Sequence, residues 1–179
     1  FDILLPVGIS FYTFQALGYM IDVYRGTVKA EKNFIRYALF VSFFPQLVAG
    51  PIERSGHLLG QIDAISHKKS WDFDKVTRGL LMMLWGFFMK MVIADRAAVL
   101  VEQVFDKYYL YNGLALMLAS ALFAIQIYCD FASYSVIALG AAKVLGIELT
   151  VNFEAPFFAR SISELWRRWH VSLSSWFRD

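Results

Sequence analysis

The sequence predicts an all-α fold: a polytopic transmembrane helical bundle with re-entrant or broken helices and one amphipathic interfacial helix. Three observations carry this expectation. Hydrophobic residues make up 58 % of the 179 residues and charged residues only 18 %, whereas soluble chains run at roughly 45–50 % and 25 %. The apolar residues gather in runs close to the roughly 20 residues that cross a bilayer. The basic residues fall mostly between those runs, as in a membrane protein with charged loops. A soluble domain of this composition lacks the polar surface to cover itself, and lipid supplies the cover.

The first apolar segment covers residues 3–21. Pro6, Gly8 and Gly18 lie inside it, so it is expected to be bent or re-entrant. The second covers residues 34–52 and is broken near its end by Pro45, Gly50 and Pro51. Broken helices at membrane depth are tolerated only where they face protein or a cavity. The third, residues 79–94, is the cleanest, with Lys90 as its one charge. The fourth runs over residues 114–128, and the pattern allows it to continue past Asp130 to Leu145. Residues 53–78 and 95–112 read as loops, and a further loop passes through Asn152 and Pro156. The basic excess in residues 53–78 (Arg54, Lys68, Lys69, Lys75, Arg78) and in the C-terminal helix predicts that both face the cytoplasm.

The last element starts at Ser161. Ser161 and Glu164 have capping-box spacing, in which each side chain satisfies the other's backbone N–H. A helix from there puts Trp166, Trp169, His170, Leu173 and Trp176 on one face, at steps of three and four. Arg167, Arg168 and Ser175 fall off that face. The helix is too polar to span and is expected at the interface.

A net charge of +2 provides no field for nucleic acid, and no nucleic-acid partner is predicted. The lone cysteine, Cys129, excludes an internal disulfide and reads as a buried thiol. His57 and His67 lie ten residues apart with no cysteine near them, which matches no structural zinc spacing. Walker loops, GxGxxG and a nucleophile elbow are absent. The chain opens without Met and without a basic segment before its first apolar run. It therefore does not read as starting with a signal peptide, and residues 1–179 read as part of a longer transmembrane domain, cut at both ends.

His170 is the candidate for chemistry. An imidazole titrates near neutrality and can take a proton from an alcohol; the alternative is a structural histidine bonded to a carbonyl. Arg167 and Arg168 can hold phosphate, or can simply anchor the helix at the interface. Asp130, Lys90, Asp95 and Arg96 lie in or at the ends of apolar runs. There they line a polar tunnel or form ion pairs within the bundle.

The stretch QIYCDFASYSVIALGAAKVLGIELTVNFEAPFFARSISELWRRWHVSLSSWFRD, residues 126–179, resembles the membrane-bound O-acyltransferase family. It looks most like the bacterial branch that contains alginate O-acetylase and the D-alanyl transfer protein of teichoic acid synthesis. GISFYTFQALGYMIDVYRG from Gly8, FFPQLVAGPIER from Phe43 and KMVIADR from Lys90 match in the same order.

The resemblance implies a tunnel through a thinned membrane centre and two functional histidines. One matches His170; the other lies on a later helix, beyond Asp179, so the chain alone is expected to be inactive. It further implies an acyl thioester donor, acetyl-CoA or an acyl carrier, on the cytoplasmic side, with no cofactor bound. The implied partners are the lipid bilayer, an extracytoplasmic acyltransferase-like protein and a polysaccharide acceptor. The implied site is His170 as catalytic residue, with Trp166, Arg167, Arg168, Trp169, Asp130 and Gln126 binding substrate, and no metal.

The expected function is transfer of an acyl group, acetyl by the wording of SISELWRRWH, toward hydroxyls of an envelope polysaccharide such as alginate. The expected location is the bacterial cytoplasmic membrane, crossed several times. D-alanyl transfer to teichoic acid is the second enzymatic reading. Broken helices and intramembrane charges also suit a transporter, although the sequence carries no internal repeat, and an inert scaffold is a further alternative.

Overall fold

The computed structural model describes residues 8–47, 50–66 and 72–178, and among these every regular element is helical. The beginning of the first expected segment, residues 3–7, and His67, Lys68 and Lys69 lie outside the described residues.

Two long helices dominate. One runs over Phe73–Asp106, 34 residues, and the other over Gly113–Val144, 32 residues. At about 1.5 Å per residue each is roughly 50 Å long, well beyond the ~30 Å hydrocarbon core. Only 17 % and 11 % of their apolar windows are buried within the chain. A core helix of a soluble protein would be mostly buried, so these apolar faces are left for lipid or for more of the protein.

The first of the pair consists of α4 (Phe73–Phe88), a six-residue π turn (Met89–Ala94) and α5 (Asp95–Asp106). Asp72 caps it, its Oδ1 accepting the backbone N–H groups of Asp74 and Lys75 at 3.1 and 3.2 Å. Both ends differ from the expected 79–94. The first two turns are polar and capped, and nothing between Phe87 and Asn112 is Gly or Pro. The charges Asp95, Arg96, Glu102 and Asp106 end an apolar run without ending a helix. Much of the loop expected at residues 95–112 is therefore helical.

The second, α6 (Gly113–Val144), is a single helix, as the pattern allowed. Asn112 caps its start through Ala115 N–H at 2.9 Å. Its end is a Schellman turn: Gly146 N–H donates to Lys143 O at 3.0 Å and Ile147 N–H to Ala142 O at 2.9 Å. Gly146 has φ +85°, which glycine takes without strain.

α4 and α6 touch at glycines. A Cβ on Gly79 would lie 2.7 Å from Gly140 O, and one on Gly140 would lie 2.6 Å from Gly79 O. One heptad along each helix, a Cβ on Gly86 would meet Ser133 O at 3.0 Å. Helix association in lipid relies on such close backbone approach, because apolar burial gives no driving force there.

At mid-length the pair is tied by charge. Lys90 Nζ lies 2.5 Å from Asp130 and 2.9 Å from Asp95, and 5.9 Å from the centre of the Tyr134 ring. Lys90, Asp95 and Asp130 thus form ion pairs within the bundle.

The N-terminal part is a cluster of shorter helices. α1 (Ile9–Tyr24) packs beside α2 (Phe34–Val41) and α3 (Ser55–Ser66). The second expected segment is corrected most. Asn33 caps α2, but the helix stops at Val41, and a 3₁₀ turn over Phe44–Gln46 carries Pro45. Eight residues cannot span. The run of apolar residues continues past the break because Phe40 and Phe43 enter a core, where they meet Leu58, Ile62, Ala142, Ile147 and Leu149. The loop expected at residues 53–78 contains α3 and the first turns of α4.

The last expected helix is also corrected. It is two helices, α7 (Ile162–Arg168) and α8 (Val171–Arg178), broken at Trp169 and His170. The predicted common face therefore does not exist. Trp169 packs inward against Phe153, Trp176 packs on α1 through Phe14, and Trp166 is exposed. The cap at Ser161 is present, with Glu164 N–H donating to Ser161 Oγ at 3.1 Å. The returning bond goes one residue earlier than a capping box, from Arg160 N–H to Glu164 Oε2 at 2.8 Å. Cys129 is buried, as expected.

Candidate functional site

His170 occupies the break between α7 and α8. Its φ is +48°, a left-handed conformation that costs a non-glycine residue about 1–3 kcal/mol unless its surroundings impose it. Here they do. Phe153 pairs with Trp169 in an isolated antiparallel bridge. Glu154 N–H donates to Arg168 O and Val171 N–H donates to Asn152 O, both at 2.9 Å. Residues 152–154 thus take backbone bonds on either side of His170, and the helix yields to them. His170 O then accepts Ser174 N–H at 3.0 Å and starts α8.

A buried polar set lies beneath the turn. Asn152 is fully buried, and Ser135 and Ser172 nearly so. Asn152 Nδ2 donates to Ser135 Oγ of α6 at 3.0 Å. Asn152 Oδ1 accepts the Ser172 hydroxyl at 2.6 Å and Ser172 N–H at 3.4 Å. Ser172 Oγ accepts Ile52 N–H at 3.0 Å, which ties the turn to the segment before α3. Arg54 adds a bond to Ser175 O at 3.2 Å.

The imidazole lies edge-on to Phe131 of α6, with ring centres 4.9 Å apart. Trp169 sits beside it in an aromatic group with Tyr128, Phe131, Phe153 and Phe157. Among the described residues, His170 Nδ1 is buried with no hydrogen-bond partner on any other residue. Burial pushes its pKa below the ordinary imidazole value. The ring is thus neutral near pH 7 and keeps a lone pair that can take a proton.

The other expected residues fall around this turn in separate groups. Trp166 and Arg167 line an open groove of about 380 Å³ with Ser163, Val171, Ser174, Ser175 and Arg178. His170 is not among its walls, but its neighbour Val171 is. Arg168 is bound to Glu164 at 2.6 Å. The Arg160 backbone N–H and then the Arg168 guanidinium hold the Glu164 carboxyl below the usual carboxylate range. Asp130 pairs with Lys90. Gln126, one turn before Asp130 on α6, carries a buried Oε1 with no partner among the described residues.

Asn152, Ser172, Ser135 and Phe131 were not expected at the site. Asn152 carried one signal, as a polar residue in the apolar-rich stretch LTVNFEAPFF. The serines carried none.

Residues 29–179 match the membrane-bound O-acyltransferase family (MBOAT). The chain is similar to a probable alginate O-acetylase of Pseudomonas aeruginosa, 43 % identical over 177 residues that cover 99 % of this chain and 33 % of that protein. It is similar to a peptidoglycan O-acetyltransferase of Helicobacter pylori, 31 % identical over 99 % of this chain and 38 % of that protein. It is also similar to a teichoic acid D-alanyltransferase of Bacillus subtilis, 29 % identical over 97 % of this chain and 44 % of that protein. The chain spans about a third of the length of the alginate O-acetylases it matches.

Proposed function

This chain belongs to the membrane-bound O-acyltransferase family, and from that premise we propose that it forms the His170 part of an enzyme that acylates a hydroxyl of an envelope polysaccharide. The observation that carries the reading is the half-buried, neutral imidazole of His170, with Nδ1 bonded to no other described residue and its backbone held in a left-handed turn.

In the proposed reaction, His170 takes the proton of an acceptor hydroxyl. The alkoxide oxygen attacks the thioester carbonyl, the C–O bond forms, and the C–S bond breaks. The leaving thiolate takes up the proton held by the imidazole, so the ring is restored. The resemblance implies a second functional histidine on a later helix, and His170 would act together with it. The apolar ring set of Phe131, Phe153 and Trp169 supports this chemistry by keeping bulk water from the thioester.

The remaining site residues take supporting roles. Arg167, with Trp166, offers donor phosphates a cationic groove. Gln126 offers an unpaired acceptor to a substrate N–H or O–H. Trp169 and Asp130 shape the wall, Asp130 through Lys90, and Arg168 does so through Glu164. Acetyl is the favoured acyl group, because the alginate and peptidoglycan O-acetyltransferases are the more similar relatives. Alginate is accordingly the favoured acceptor, and acetyl-CoA or an acyl carrier the donor. The D-alanyl relative supports the second reading. The setting is a multi-pass protein of the bacterial cytoplasmic membrane, working with an extracytoplasmic acyltransferase-like partner.

His170→Ala in the full-length protein should abolish polymer acylation while membrane insertion stays normal. Wild-type acylation by that variant would remove His170 from the chemistry. The acyl group recovered from the polymer decides between acetyl and D-alanyl.

A further inference from the structure

We propose that Asn152 is the positioning residue for His170. The inference rests on the reading of His170 as an acyl-transfer histidine, and it concerns how that ring is kept in place.

Asn152 reaches the two residues that follow His170 by three bonds. Its backbone O takes Val171 N–H, and its Oδ1 takes both the N–H and the O–H of Ser172. It reaches α6 by a fourth, from Nδ2 to Ser135 Oγ. Ser135 stands one helical turn from Phe131, against which the imidazole packs. Three of these bonds are made by one fully buried side chain, which thus links Ser172, two residues after His170, to the helix that receives the ring.

Residue chemistry makes the position selective. The task needs an acceptor for Ser172 and a donor for Ser135 on one short, planar, uncharged group, which is what a carboxamide supplies. Aspartate lacks the donor and would place a charge in a site without solvent. Alanine would leave the Ser172 hydroxyl and N–H without their acceptor beneath a turn that is already costly to hold. The main-chain bonds of residues 152–154 would still hold the left-handed turn, but the turn would lose its side-chain tie to α6 through Ser135 and Ser172 and could shift against Phe131. That moves the ring, and displacement by about 1 Å from a productive geometry can cost on the order of 100-fold in rate.

The test uses the full-length protein in its native membranes with a labelled acetyl thioester, and reads kcat, KM for the donor and the pH profile. Asn152→Ala is expected to lower kcat about 100-fold with KM little changed. The acid limb of the profile should move up toward the ordinary imidazole value of about 6.5 as the ring becomes wetter. Ser172→Ala should give a smaller loss of the same kind, and it decides the matter by the same criteria if Asn152→Ala fails to reach the membrane. Wild-type kcat in these variants alongside an inactive His170→Gln overturns the positioning role and leaves the reading of His170 intact. An active His170→Gln would instead overturn the reading of His170 itself.

Discussion

Between α4 and α6, contact depends on side chains that are absent. Gly79 and Gly140 let two backbones meet, Gly86 repeats the approach a heptad along against Ser133 O, and a single ion cluster around Lys90 pins the register. Around His170, contact depends on polar groups that are present: Asn152, Ser172 and Ser135 exchange bonds out of solvent. The first arrangement suits lipid, where close packing associates helices and many sequences of small and apolar residues serve equally. The second suits a site, where a closed hydrogen-bond network selects one conformation, including one that the local sequence disfavours.

The sharpest way to break the contrast is to remove the cation at the centre of the ion cluster between the two helices. Lys90→Ala leaves Asp95 and Asp130 without their shared cation in the middle of two apolar helices, where an unpaired charge facing lipid is costly. Thermal unfolding in mild detergent should show a large fall in the transition temperature, and an unchanged transition would mean that the cluster does not hold the pair.

Filling the helix contact comes next. Gly140→Leu puts side-chain atoms where Gly79 O and the Met83 backbone already stand. Overpacking of this kind costs typically about 2 kcal/mol. Gly60→Leu, where a Cβ would meet nothing within 4 Å, serves as the control. Equal stability of the two variants would show that the glycine crossing does not govern association.

The smallest effect sharpens the other side of the contrast. Because burial lowers the His170 pKa, the unfolded chain binds a proton that the folded chain refuses as pH falls below about 6.5. Stability therefore falls on acidification from that value down to the native one, by at most about 1.4 kcal/mol per pH unit for one group. His170→Gln should remove that slope from a comparison of unfolding midpoints at pH 7 and pH 5.5. A slope identical in the two proteins would mean that the ring is not buried enough to resist protonation.

Much of the helix pair was legible in sequence. Long apolar runs with no interior Pro must be helical in lipid, since no other arrangement satisfies the backbone. The ends were not legible, because hydropathy reports where lipid would stop and not where hydrogen bonding stops; α5 carries its charges without a break. The second segment misled for the opposite reason. Phe40 and Phe43 are apolar because they fill a protein core, and the helix ends at Val41 although the apolar run goes on.

At the site, the histidine and its aromatic neighbours stood out as an imidazole among tryptophans in a segment too polar to span. The shape of the turn did not. A period of 3.6 describes bonds made within a helix, whereas the break at His170 comes from bonds to residues 152–154, reached from a distant part of the chain. Arg168 illustrates the same limit, since its partner Glu164 was assigned to the cap alone.

The π turn at Met89–Ala94 has a consequence for α5. Asp95 N–H bonds to Lys90 O, five residues back instead of four. The extra residue sets the azimuth of everything after it back by about 100° relative to an uninterrupted spiral. The stripe by which α4 meets α6 therefore cannot be extrapolated onward by counting sevens. It also lets Asp95 reach the ammonium of Lys90 from across the widened coil, so one dislocation of the winding both brings the charges together and turns the far half of the rod to a new bearing.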